Sequence, residues 1–180
     1  YNESKQGSAV VPSPVICCMG QVKDINLSKT MQCFDSDLEL ILVGKRYSEF
    51  AGTQIQNYIE CDVLSAPQVR LADEAKQNKA ILAGLEKHLI SVVHDISMGG
   101  LFQSVSEMVL GERGFVKVGV NLNLENMDSI KTLFSENGGY VIATSKSAEC
   151  MSLLEDFGCW FQKIGSTTPE KTIVIKTNQD

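Results

Sequence analysis

The chain has 180 residues, 43% of them hydrophobic and 21% charged, with a formal net charge of −6. That length supports one full core, or one core plus part of another, and such a domain buries roughly 70% of its unfolded chain's surface. Acidic and basic residues are interspersed, which excludes the basic footprint of a nucleic-acid binder. No apolar run approaches the ~18 residues of a membrane span, and nothing reads as a signal peptide. The six cysteines, Cys17, Cys18, Cys33, Cys61, Cys150 and Cys159, include no C-x-x-C pair. They are expected to be reduced thiols serving as small core hydrophobes in a cytoplasmic protein. With no initiator methionine before Tyr1, the chain reads as a piece of a longer polypeptide or a trimmed product.

In chain order, "VICCMGQV" after Pro12 and Pro14 predicts a strand over 15–22, which would turn Cys17 and Cys18 to opposite faces. The polar stretch Asp24 to Asp37 is the expected domain boundary. "LELILVGK" (38–45) is a nearly continuous apolar strand of the kind buried on both faces. Ser48 is placed as the cap of a weak helix over 48–60. A longer helix is expected from Pro67 to about Lys87, with Leu71, Ala75, Leu82, Leu85 and Leu89 on its buried face. "LISVVHDI" then reads as strand and "GGLFQSVSEMVLGE" as a helix with Leu101, Val105, Met108 and Val109 as its apolar stripe.

"FVKVGVNL" (115–122) alternates with period two and reads as a half-buried strand. "MDSIKTLFSE" predicts helix, "YVIATS" strand, and "SAECMSLLEDFG" a serine-capped helix ending at Gly158. "CWFQKIGSTT" and "KTIVIKT" complete the pattern as two strands, expected to pair as a hairpin. Strands interleaved with helices point to mixed α/β layers.

The junction "SVVHDISMGGLFQSVSEM" (91–108) carries the chemistry. A strand that ends before a glycine-started helix presents unpaired N–H groups at the positive end of a helix dipole, where anions bind. Gly99 and Gly100 permit close approach and unusual φ. The dipole supplies only ~0.3–2 kcal/mol, too little to hold a nucleotide alone, and a carboxylate recruiting Mg²⁺ would strengthen the site. Asp95 can be that acid and Ser97 a hydroxyl donor to phosphate. An equally open reading makes Ser97 a helix cap, Asp95 a dipole partner, and the glycines a packing device. His94 and Asp95 are strand neighbours whose side chains diverge, so no catalytic dyad is expected. His94 then reads as a capping or buried histidine, and with His88 as the only other histidine no His-based metal site is expected.

"HDISMGGL" resembles the His-Asp-x-Ser-x-Gly-Gly-Leu signature of the aminoimidazole ribonucleotide synthetase-related superfamily, in its C-terminal type of domain. "YNES" with "VPSPVICCMGQVKD", "LFSE" at 133–136 and "GERGFVKVGVNL" make the chain similar, along its whole length, to the phosphoribosylformylglycinamidine synthase family. The resemblance implies an α+β fold of three layers, a mixed β-sheet with helices on its faces. Residues 1–35 would end a preceding N-terminal-type domain, and residues 36–180 would form the C-terminal-type domain.

It also implies an ATP- and Mg²⁺-dependent ligase that converts formylglycinamide ribonucleotide to its amidine with glutamine-derived ammonia. The implied partners are the N-terminal domains of the same synthetase, a glutaminase subunit and a small accessory subunit. By position, Asp95 resembles the metal ligand, and Ser97, Gly99 and Gly100 the nucleotide contacts; no catalytic residue is carried over. Met98 stands where relatives often have an acid. The family's Gly-Asn-x-Ser segment would lie before Tyr1, and "LFSENGG" departs after Glu136, which reads as a solvated helix-end acid. Glu3 would lie near the site. The chain alone is expected to be inactive, and its domain-docking face apolar enough to allow a homodimer. The alternatives kept are a structural or auxiliary nucleotide-binding module of that synthetase, and a relative such as aminoimidazole ribonucleotide or selenophosphate synthetase.

Overall fold

The apolar run after Asp37 forms β1 (Glu39–Val43), and Leu40 to Val43 are wholly excluded from solvent. A strand this apolar on both faces belongs at the centre of a sheet with both faces covered. The computed structural model, which describes residues 15–22, 24–59, 65–110 and 116–178, places it there. The other elements are α1 (Leu71–Glu86), β2 (Val92–Asp95), α2 (Gly100–Leu110), β3 (Gly119–Asn123), α3 (Ser129–Phe134), β4 (Tyr140–Thr144), α4 (Ser147–Asp156), β5 (Phe161–Thr168) and β6 (Ile173–Lys176). The six strands lie in the order β2-β4-β1-β5-β3-β6. Neighbours are antiparallel except β3 and β6, so the sheet is mixed.

Alternation along the strands divides the core in two. Leu40, Leu42, Val92, Val120 and Leu122 face Leu101, Val105 and Met108 of α2 and Leu133 of α3. Ile41, Val43 and Ile142 face Ala80 and Ile81 of α1 and Cys150 and Leu154 of α4. The result is the expected three-layer α/β/α arrangement, and the α2 stripe read from sequence is buried as anticipated.

Five expectations need correction. First, α1 buries Gln77, Ala80, Ile81 and Gly84; of the expected face only Leu85 packs against the core from the helix, while Ala75 is exposed and Leu71 and Leu82 stay 76% and 61% exposed. The reason is approach distance: a Cβ on Gly84 would sit 2.7 Å from Ile90 Cδ1, so small residues face the sheet where leucines would not fit. Second, β6 does not pair with β5 but crosses to the far side of β3. Its lead-in passes so close that a Cβ on Gly119 would meet Glu170 O at 1.9 Å and Thr172 O at 2.2 Å. Only a glycine there lets the connection cross over the strand, a long-range fact that alternation cannot encode.

Third, the expected helix over 48–60 reduces to one 3₁₀ turn at Gln56–Tyr58 within the described part of that range, and Ser48 caps nothing. Its polar groups bond across the fold instead, as with Gln54 N–H donating to Glu136 Oε1. Fourth, residues 15–22 form no strand, and Val15, Ile16 and Met19 are exposed together with Cys17 and Cys18. Fifth, the cap position of α4 is Lys146, with no side-chain cap bond, although Gly158 ends the helix at φ 64° as anticipated.

The five described cysteines are free. Cys33 and Cys150 are core hydrophobes, burial pushing their thiols up to about 12 and about 11, and the partly buried Cys159 packs against the core, while Cys17 and Cys18 are exposed. Cys61, and the expected features at 1–14 and 111–115, lie outside the described residues. Among the described residues, no helix is long and apolar enough to cross a membrane.

Candidate functional site

At the end of β2, His94 turns inward and Asp95 outward. His94 is buried, with Nδ1 2.7 Å from the Asp95 carbonyl and Nε2 2.8 Å from Glu107 Oε2 on α2. Gln103 Nε2 donates to the other Glu107 oxygen, and Ser104 Oγ donates to the same Asp95 carbonyl. Both ring nitrogens are therefore engaged, and His94 clasps the strand to the helix as a buried histidine. The Gln103 bond, with smaller help from His94, holds the Glu107 carboxyl below its usual range. The Asp95 carboxylate stays 66% exposed and comes within 3.4 Å of His94 Nδ1, nearer than strand alternation suggests. It lines a cleft with Glu74, Asn78, Gly138 and Tyr140. Burial, with Asp95 and Glu74 nearby, raises the Tyr140 hydroxyl.

Ser97 is exposed and lines a different cleft, with Gln54, Gly99, Gln103 and Glu107. The structure thus groups Ser97 with the glycine turn and leaves Asp95 in the neighbouring depression. Gly99 and Gly100 both take left-handed backbone, at φ 81° and 69°. A Cβ on Gly100 would lie 2.6 Å from the Leu133 carbonyl, so α2 begins in backbone contact with the end of α3. Packing alone requires a glycine there. The amide of Gly100 donates to Ser97 O at 3.1 Å, and that of Gly99 donates to Glu136 Oε1 at 2.9 Å. The same oxygen receives Gln54 N–H at 2.8 Å. Glu136, which reads in sequence as a solvated acid, is therefore the anion at the head of α2.

Behind Glu136 lies a polar network that sequence reading missed. Arg46 is 4% exposed, and its guanidinium donates to the carbonyls of Gly44, Asn137 and Gly138 at 3.1, 2.7 and 2.6 Å. Burial lowers its pKa to about 10. Asn137 Oδ1 accepts from Ser135 Oγ and from Tyr47 N–H, while its amide donates to Glu49. Glu49 pairs with Arg70, whose hydrogen bonds hold that carboxyl down to about 2, and Arg70 stacks 3.5 Å from the Tyr47 ring centre. The available signal was "GKRYSEF", four polar or charged residues within the seven that follow a buried strand, which reads equally as a solvated loop. Among the described residues, no group of three or more His, Cys, Asp or Glu side chains could hold a metal.

Residues 39–178 match the family described as AIR synthase related protein, C-terminal domain. A phosphoribosylformylglycinamidine synthase subunit PurL from Methanothrix thermoacetophila is 33% identical over 150 residues, 83% of this chain and 19% of its own length. The subunit of the same name from Lactobacillus helveticus is 31% identical over 185 aligned positions, all of this chain and 24% of its own length. Solved Thermotoga maritima PurL, complexed with FGAR or with ATP, superposes with TM-scores of 0.71 and 0.67 at 17% and 16% identity. Each match covers 87% of this chain, and 28% and 26% of those chains respectively. The chain therefore spans about a fifth to a quarter of the curated relatives it matches.

Proposed function

The chain belongs to the AIR synthase related protein family, through the C-terminal domain that defines it, and from that premise we propose that it serves as a synthetase domain of a phosphoribosylformylglycinamidine synthase. In that enzyme, ATP and glutamine-derived ammonia convert formylglycinamide ribonucleotide to its amidine. The observation that carries this reading is the 31% identity to a relative of that name along the entire chain. Residues 1–35 would complete a preceding domain and residues 36–180 form this one. The remaining synthetase domains, a glutaminase subunit and a small accessory subunit are the proposed partners, in the cytosol.

The domain's contribution is one wall of a nucleotide site. Ser97 would donate its hydroxyl to a phosphate oxygen, and Gly99 and Gly100 would let the backbone approach closely. Asp95 fits Mg²⁺ as one exposed carboxylate among water and phosphate ligands, the way Mg²⁺ commonly binds, but it cannot cage the ion. When bound, the ion would neutralise phosphate charge. Glu136 must release Gly99 N–H before a phosphate takes it, since two anions do not share one donor.

A second reading, an auxiliary nucleotide module without turnover, is favoured by that occupied amide and by the separation of Asp95 from Ser97 into two clefts. Asp95→Ala in the full-length synthetase separates the two. Lost amidine formation with intact subunit assembly supports the catalytic wall; normal turnover with lost nucleotide retention or assembly supports the module. For the isolated chain with ATP and ammonia, no amidine is expected, because the reacting groups lie on other domains.

A further inference from the structure

The peptide unit that joins Asp95 to Ile96 is held from both sides. Its N–H donates to the Gly139 carbonyl at 2.8 Å, continuing the pairing of β2 with β4. Its carbonyl points the other way, because a trans peptide sets C=O and N–H opposite, toward the free edge of the sheet where β2 ends the strand order. There it accepts from His94 Nδ1 at 2.7 Å and from Ser104 Oγ at 2.9 Å. A planar unit pinned at both ends cannot turn, so the Asp95 side chain leaves the strand in one direction. Both donors are buried, His94 at 8% exposure and Ser104 at 2%. Two buried polar side chains thus serve one carbonyl, that of the residue whose carboxylate faces the solvent.

His94 is held in turn. Its Nδ1 faces a carbonyl oxygen, which can only accept, so Nδ1 is the donor. Nε2 lies 2.8 Å from Glu107 Oε2, and Gln103 Nε2 steadies the other Glu107 oxygen at 2.7 Å. The ring is therefore locked in the orientation that aims Nδ1 at residue 95. In that orientation Nδ1 also lies 3.4 Å from Asp95 Oδ1, so the ring borders the carboxylate as well as the carbonyl.

We propose that His94 and Glu107 are positioning residues for the divalent cation: Glu107 orients the His94 ring, and the ring sets the Asp95 carboxylate toward the ion without ligating it. This inference rests on the reading of Asp95 as the cation ligand and adds what holds that ligand in place. A carboxylate whose direction is fixed beforehand loses less freedom when it takes a metal. Removing such a supporting hydrogen bond typically weakens metal binding about 10–100-fold.

Titrating the full-length synthetase with Mn²⁺ in the presence of ADP, followed by electron paramagnetic resonance, tests the proposal. Mn²⁺ takes the same oxygen ligands as Mg²⁺, and ADP leaves no γ-phosphate to transfer. Wild type is expected to bind an ion that Asp95→Ala loses. For that ion, His94→Phe is expected to raise the dissociation constant about tenfold, and His94→Asn, whose amide can donate from the place of Nδ1, about threefold at most. Glu107→Ala, at a partly exposed side chain, is expected to raise it about threefold or more, and it decides the matter if His94→Phe unfolds the protein. Unchanged Mn²⁺ affinity in these variants, with only the melting temperature lowered, assigns His94 and Glu107 to stability alone and overturns the proposal. Equal weakening by Phe and Asn at position 94 overturns it too. In both cases Asp95→Ala still loses its ion, so the cation-ligand reading survives. If Asp95→Ala loses no ion, that reading falls and this inference falls with it.

Discussion

The head of α2 and the Arg46 network lie either side of the segment 135–139, and they satisfy charge in opposite ways. At α2 an anion, Glu136, is held by two backbone N–H groups. In the network a cation, Arg46, is held by three backbone carbonyls with no carboxylate beside it. Glu136 is partly exposed, so water or another anion can take its place at modest cost. Arg46 is sealed, and nothing can replace it once it is gone. The comparison teaches that one short segment carries both a replaceable contact, suited to ligand exchange, and an irreplaceable one that fixes where the exchange occurs.

The sharpest way to break this contrast is Arg46→Met, which takes the guanidinium donors from the buried Gly44 and Asn137 carbonyls. A loss of about 3 kcal/mol is expected from urea unfolding, since each orphaned buried group costs roughly 1–3 kcal/mol; a loss below ~1 kcal/mol would show that the guanidinium is no clamp. Gly100→Ala follows. It forces left-handed backbone on an alanine and pushes its Cβ against the Leu133 carbonyl, and a loss of about 2 kcal/mol in the same measurement is expected.

Acid titration sharpens the network side. The Glu49 carboxyl is lowered to about 2 from its usual 4.5, so the stability it contributes is fully present above pH 4.5 and is lost as pH falls toward 2. After screening, that is on the order of 1 kcal/mol. Glu49→Gln is expected to flatten the stability profile across that window, and a profile unchanged from wild type would contradict the pairing. The smallest effect belongs to Glu136→Ala, expected to cost under ~1 kcal/mol in stability. In the full-length synthetase it should tighten ATP binding several-fold by freeing the Gly99 amide; unchanged or weaker ATP binding in calorimetry would remove Glu136 as a competitor.

Much of this was legible in the residues. The run at 38–45 was placed as a doubly buried strand, and the α2 stripe through Leu101, Val105 and Met108 was read on the correct face. The junction at 95–100 was picked out because two glycines, an acid and a hydroxyl meet where packing alone was not expected to demand them, yet packing against the Leu133 carbonyl does require Gly100. The misreadings share one physical cause. Leu71 and Leu82 make a plausible helix face with Leu85, but Gly84 against Ile90 sets the contact distance, so Leu85 alone of the three packs on the core. Glu136 looked solvated because its donors, Gly99 and Gln54, are 37 and 82 residues away in sequence. Arg46 was not singled out because two of its three acceptors, the Asn137 and Gly138 carbonyls, lie some 90 positions further along the chain.

Element type and inward face along a strand follow from the order of residues alone, because alternation and helical period are set by neighbours within one or two turns. Which strand lies beside which, which helix face meets the sheet, and which carboxylate reaches an open amide depend on how closely distant backbones approach. Those distances are set by a few glycines and buried polar groups whose partners are remote in sequence, so they emerged only once the chain was folded.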